Sequence, residues 1–172
     1  LNGFLFFFVF FFVKKFCEGD FGIQQNPFKM TKFYLKTNSK TAETQKPHFY
    51  ILNKGMNSGK PLKEPCPNCF VLTAKTEEEI QSIYWLCFGL WKAKSFHYYL
   101  KGSVIPFITI NDMRKAIAGG YEIAEKNKPI FKKSVKALQL LEDKEKQYHQ
   151  NIQLIQDAKR AIFYRYISRR RK

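Results

Sequence analysis

Cys66-Pro-Asn-Cys69 places two thiols three residues apart, and Cys87 and His97 follow downstream, so a Cys3His zinc site can be composed from the chain. Zinc sites of this kind usually draw on a second close pair, and neither a second CxxC nor an HxxxH spacing occurs. Cys87 falls on the apolar side of a helical pattern, where a thiol serves as a small buried hydrophobe. Cys66 and Cys69 therefore stand as weak metal candidates. Packing or loop cysteines are the preferred reading, with a redox pair as a third. Four cysteines in 172 residues imply no disulfide framework and suit a reducing cytoplasm. No cofactor is expected.

Gly55-Met-Asn-Ser-Gly-Lys60-Pro61 has the look of a phosphate loop, but such a loop needs four residues between its glycines and a Ser or Thr after the lysine to hold magnesium. Here three residues intervene and Pro61 follows. Nucleotide hydrolysis is excluded on that ground. A solvated turn is expected, with Lys60 and the amides of Asn57, Ser58 and Gly59 able to meet a backbone phosphate. His48, His97 and His149 lie far apart and beside aromatic or polar neighbours, and read as interior or rim residues. No Ser or Cys stands in a nucleophile elbow, and no carboxylate pair has nuclease or glycosidase spacing. Catalytic residues are not assigned, and a nuclease-class enzyme is a minority alternative.

Charge points to a partner. Thirty Lys and Arg against fourteen Asp and Glu give +16, which favours polyanions: nucleic acid or an anionic surface. The run from Trp91 to Lys101 interleaves bases with aromatic rings, a pattern suited to phosphate contact and base stacking. Trp91 and Phe96 are assigned to the core there, which leaves Lys92, Lys94, Tyr98, Tyr99 and Lys101 as contacts, joined by Lys60. The C-terminal Arg165, Arg169, Arg170, Arg171 and Lys172 form a second basic group. They either complement the helix dipole as a solvated end or contact phosphate or an acidic partner.

These residues need elements to position them. Residues 4–13 are apolar throughout and seven of the ten are Phe. At ~1.5 Å per residue this run is too short for a ~30 Å hydrocarbon core, so no membrane span is expected. The following Lys14-Lys15 are on the wrong side for a secretory signal. Residues 1–29 read as an irregular leader, preferably translated sequence upstream of a start at Met30. A membrane or signal role and a core strand are the alternatives. Without them the net charge is still +15.

Residues 30–129 read as an α+β domain. Residues 32–36, 48–53 and 68–73 are rich in aromatic and β-branched residues and predict strands, and residues 104–110 predict another. Residues 54–67, with two Gly and three Pro, predict irregular structure. Thr76 followed by Glu79 is a capping box that opens a largely buried, aromatic-rich helix. Ser95 is a candidate cap for a short helix to Leu100. Asn111 is expected to cap a helix ended by Gly119-Gly120. Pro129 suits the first turn of a long helix over 130–167, followed by a basic tail over 168–172. Leu141, Glu145, Tyr148, Ile152, Ile155, Lys159, Ile162 and Tyr166 follow 4-3 spacing, which fits either a coiled-coil seam or an amphipathic helix packed on its own domain. The expected fold is α+β: a small mixed sheet with a buried aromatic-rich helix, followed by the long C-terminal helix.

The segments Asn53-Lys-Gly-Met-Asn-Ser-Gly-Lys-Pro-Leu62, Pro67-Asn-Cys-Phe-Val-Leu72, Tyr84-Trp-Leu-Cys-Phe-Gly-Leu-Trp91 and Gly102-Ser-Val-Ile-Pro-Phe-Ile108 resemble an uncharacterised family of small basic proteins from bacterial genomes and mobile elements. That family implies no activity. More distantly, Phe96-His-Tyr-Tyr-Leu-Lys-Gly-Ser103, the segment 108–117 and the long helix are similar to the target-recognition half of type I restriction specificity subunits, which implies DNA as a ligand but transfers no base-contacting residue. The resulting expectation is a cytoplasmic, non-catalytic DNA-binding or DNA-processing accessory module acting through phosphates. The alternative is a protein-interaction module, or a homodimer, docking through 130–167.

Overall fold

The computed structural model of the chain describes residues 33–38 and 45–169; the leader expected over 1–29 lies outside them. Among the described residues four strands form one sheet: β1 (Phe33–Thr37), β2 (His48–Leu52), β3 (Pro61–Leu62) and β4 (Cys69–Ala74), in the order β1-β4-β2-β3. The α+β class with a long C-terminal helix holds, and within it every strand pairing is antiparallel. The register explains the residue types. Leu35, Leu72 and Phe49 stand opposite one another across three strands, as do Thr37, Phe70 and Ile51. Alternation along each strand puts this set on one face, and its apolar members are buried. The other face carries Tyr34 and Lys36 of β1 and His48 and Tyr50 of β2, each partly or fully exposed. β4, in the middle, is buried along its whole length, as its continuous apolar run requires.

Helix α1 (Glu77–Lys92) starts at the expected Thr76 cap: Thr76 Oγ1 accepts from the Glu79 amide at 3.2 Å, Glu77 to Glu79 fill the first turn and Lys92 the last. Opposite charges at the two ends complement the helix dipole. Ile80, Ile83, Leu86, Cys87, Phe88 and Leu90 are buried. A 3-10 turn (Ser95–Tyr99) follows, entered through Lys94 in the left-handed region at φ 57°. Ser95 is thus inside the turn and buried, and Lys94 holds the cap position expected of Ser95.

Four further expectations change. Pro61–Leu62, placed in irregular chain, adds a two-residue strand to β2. Residues 104–110 do not form a strand. Phe107 makes isolated bridges to Lys54 and Lys101, and Ile110 already belongs to helix α2 (Ile110–Lys126). Pro106 lacks the amide a continuous ladder would use. The cap of α2 is Thr109, not Asn111: its Oγ1 accepts from the Asp112 amide at 3.2 Å. Gly119 and Gly120 do not end α2, which runs through both. At Gly120 a side chain would meet Leu90 Cδ1 at 3.1 Å, so the glycine allows α1 and α2 to approach closely.

Helix α3 (Lys128–Arg169) is 42 residues long, about 60 Å at 1.5 Å per residue. The chain divides into two compact units at the Asn127/Lys128 boundary, the first holding the sheet, α1 and α2, the second α3. Among the described residues no helix is long and apolar enough to cross a membrane.

Candidate nucleic-acid interface

A line of aromatic rings runs from the sheet to the surface of the first unit. Phe49 meets Tyr84 at 5.3 Å, Tyr84 meets Trp85 at 5.7 Å, Trp85 meets Phe88 at 5.3 Å and Phe88 meets Trp91 at 5.8 Å. The i, i+3 spacing of Trp85, Phe88 and Trp91 on α1 stacks them along one side of the helix. The last ring is not in the core, contrary to expectation: Trp91 is only partly buried. Two ammonium groups sit against it, Lys60 Nζ 5.3 Å and Lys92 Nζ 5.5 Å from the ring centroid, with Lys92 also 5.4 Å from Phe88. Cation–π contact of this kind holds the charge beside the ring face.

The loop that carries Lys60 is held firmly. Gly55 donates to Pro106 O at 2.7 Å, Gly59 to Leu52 O at 2.7 Å and Ser58 Oγ to Gly55 O at 2.7 Å. The amides of Ser58 and Lys60 donate to Gly55 O and Asn57 O. The amides of Ser58, Gly59 and Lys60 are therefore engaged within the protein, and the Lys60 side chain is exposed. Its underside packs on the 3-10 turn: Gly59, at φ +93°, lies directly against the fully buried Phe96 ring, and His97 Nε2 donates to Met56 O at 3.1 Å. That bond makes His97 a positioning group for the loop.

Lys60 of the loop thus meets Trp91 and Lys92 at the end of α1, and the 3-10 turn that follows is entered through the exposed Lys94 and carries Tyr98, which is 88% exposed. Tyr98 and Tyr99 meet edge to face at 5.2 Å. Burial, and then the neighbouring Tyr98, push the Tyr99 hydroxyl above its ordinary pKa. Lys101 goes elsewhere. Its Nζ pairs with Asp112 Oδ2 at 2.8 Å, and Thr109 Oγ1 donates to the same carboxylate oxygen at 2.7 Å. These two contacts, Lys101 first, hold the Asp112 carboxyl below the usual range.

The four zinc candidates are not brought together. Cys69 Sγ donates to Cys66 O at 2.8 Å within a turn, Cys87 is wholly buried in α1, and His97 is bonded to Met56. Burial pushes the Cys69 and Cys87 thiols up. Among the described residues no group of three or more metal-ligating side chains is assembled.

The second basic group is on α3. Arg165 is exposed, Arg169 is the last residue of the helix, and Arg170, Arg171 and Lys172 lie outside the described residues.

Residues 35–165, spanning both the candidate surface on the first unit and most of α3, match the model of a family of unknown function, DUF6943. The chain belongs to DUF6943. No curated protein and no solved structure matches it. In this DUF6943 chain the residue that sequence reasoning misplaced is Trp91. A signal was present: Trp91 ends the apolar run of the helix immediately before Lys92, where a ring can be inside on one edge and wet on the other.

Proposed function

We propose that this chain is a non-catalytic nucleic-acid-binding module whose contact surface is Lys60, Trp91, Lys92, Lys94 and Tyr98. The observation that carries the reading is the convergence of Lys60 and Lys92, thirty-two residues apart in sequence, on the partly exposed Trp91 ring. Lysines supply phosphate contact and counterion release, and the exposed rings supply faces for stacking. The distant likeness of Phe96–Ser103 to target-recognition segments favours DNA among nucleic acids. The free Cys66, Cys69 and Cys87 suit a reducing cytoplasm.

Titration of labelled DNA against salt tests this. Each phosphate contact contributes about 0.9 to the slope of log K against log salt. The triple substitution of Lys60, Lys92 and Lys94 by Ala is therefore expected to lower the slope by two to three and weaken binding at least tenfold at low salt. Tryptophan fluorescence should change on binding and lose that response in Trp91→Leu. A slope near zero, or an unaltered slope in the triple variant, rejects the reading.

A second reading, docking of a protein through α3, is favoured by the exposed apolar residues of that helix.

A further inference from the structure

We propose that residues 141–166 of α3 pair antiparallel with the same segment of a second copy of the chain. The apolar seam is physically present: Leu141, Tyr148, Ile152, Ile155, Ile162 and Tyr166 are each more than half exposed. Their 4-3 spacing puts them on one stripe of a single helix, about 37 Å long at 1.5 Å per residue. A stripe of that length left in water is unfavourable, and a closed twofold dimer covers it with the complementary surface of an identical chain.

Charge sets the direction. On the side of the helix away from the seam, charges are matched locally: Lys146 reaches Asp143 at 3.8 Å and Arg160 pairs with Asp157. The seam itself holds one residue of each sign, Glu145 and Lys159, with Glu142 flanking it near one end and Arg165 near the other. Lys144, also near the acidic end, is engaged with Gln147 at 3.1 Å. A parallel in-register pair sets Glu145 against Glu145 and Lys159 against Lys159 at buried seam positions, where like charges repel most strongly. An antiparallel pair centred near Ile152 brings each Glu145 within reach of Lys159 of the second copy, twice by symmetry. Glu145, which lies 3.9 Å from His149 within its own helix, then gains a charged partner across the seam. In this arrangement the two Lys128 residues, at the starts of the helices, lie about 70 Å apart. The pairing is independent of the nucleic-acid reading.

Carboxyl–amine coupling with a zero-length reagent on a mixture of unlabelled and nitrogen-15-labelled full-length chain decides the direction. Glu145 and Lys159 of one chain are separated by about 21 Å along the helix, so a direct link between them forms only between copies. Mixed-isotope links joining Glu142 or Glu145 to Lys159 are expected, with a dimer mass in light scattering at the same concentration. Glu145→Lys is expected to weaken dimerisation about tenfold through two repulsive contacts, and Glu145→Lys with Lys159→Glu to recover it, both with unchanged helical circular dichroism. A monomer at several hundred micromolar overturns the pairing. Inter-copy links confined to residues of one end, or undiminished association of Glu145→Lys, overturn the antiparallel direction.

Discussion

Gly59 shows how much of the candidate interface rests on one absent side chain. Its φ of +93° is in the left-handed region, and a Cβ there would collide with the Phe96 ring, which is core and cannot swing away. Gly59→Ala is expected to destabilise the fold by about 2–4 kcal/mol, through strain and overpacking together, read as a lowered urea midpoint. Because the loop carries Lys60, the same variant should weaken DNA binding more than Lys60→Ala does. Asp112 is the second residue with a measurable signature. Lys101 and Thr109 lower its pKa in the folded state, so its contribution to stability is present above the ordinary carboxylate range and is lost as pH falls through the lowered value. Urea unfolding below pH 4 should therefore show a steeper loss of stability for the unaltered chain than for Asp112→Asn. At neutral pH, Thr109→Ala should cost about 1 kcal/mol, the ordinary worth of an N-cap.

At the scale of elements, the two adjacent glycines of α2 separate propensity from packing. Nothing approaches Gly119 within 4 Å of where a side chain would begin, whereas Gly120 faces Leu90 and Leu86. Gly119→Ala should stabilise the chain by about 0.5–1 kcal/mol, the gain in helix propensity alone, seen as a rise in thermal midpoint. Gly120→Ala should fall short of that gain because Leu90 must give way. The element boundaries written into local chemistry were legible: the Thr76 to Glu79 capping box starts α1, and the Pro129-headed, glycine-free run becomes α3. Misjudged elements were those decided from outside. A glycine pair reads as a helix break unless a neighbouring helix needs the room, and residues 104–110 have strand composition but no strand beside them to complete a ladder.

At the scale of the whole molecule, two basic groups bear on the proposed contact, the lysines beside Trp91 in the first unit and the C-terminal group of Arg165 and residues 169–172. The two should act differently on a polyanion. Removing residues 168–172 takes away Arg169, Arg170, Arg171 and Lys172, and is expected to weaken DNA binding at low salt and reduce the salt slope. The fluorescence response of Trp91 should remain, because the aromatic patch is intact. Loss of that response in the truncated chain, measured in the same titration, would place the contact at the tail instead.

By itself the sequence determined the class of fold, the long helix with its 4-3 stripe, and the positive charge that favours a polyanionic partner. Periodicity, capping and composition are local properties, and each can be read along the chain. Only the tertiary structure decided which charges act together. Lys60 and Lys92 meet on one ring because the loop over Gly59 seats on Phe96, whereas Lys101, nine residues after Lys92, is drawn to Asp112. Distance along the chain carries no record of that choice, since it is set by packing between segments remote in sequence.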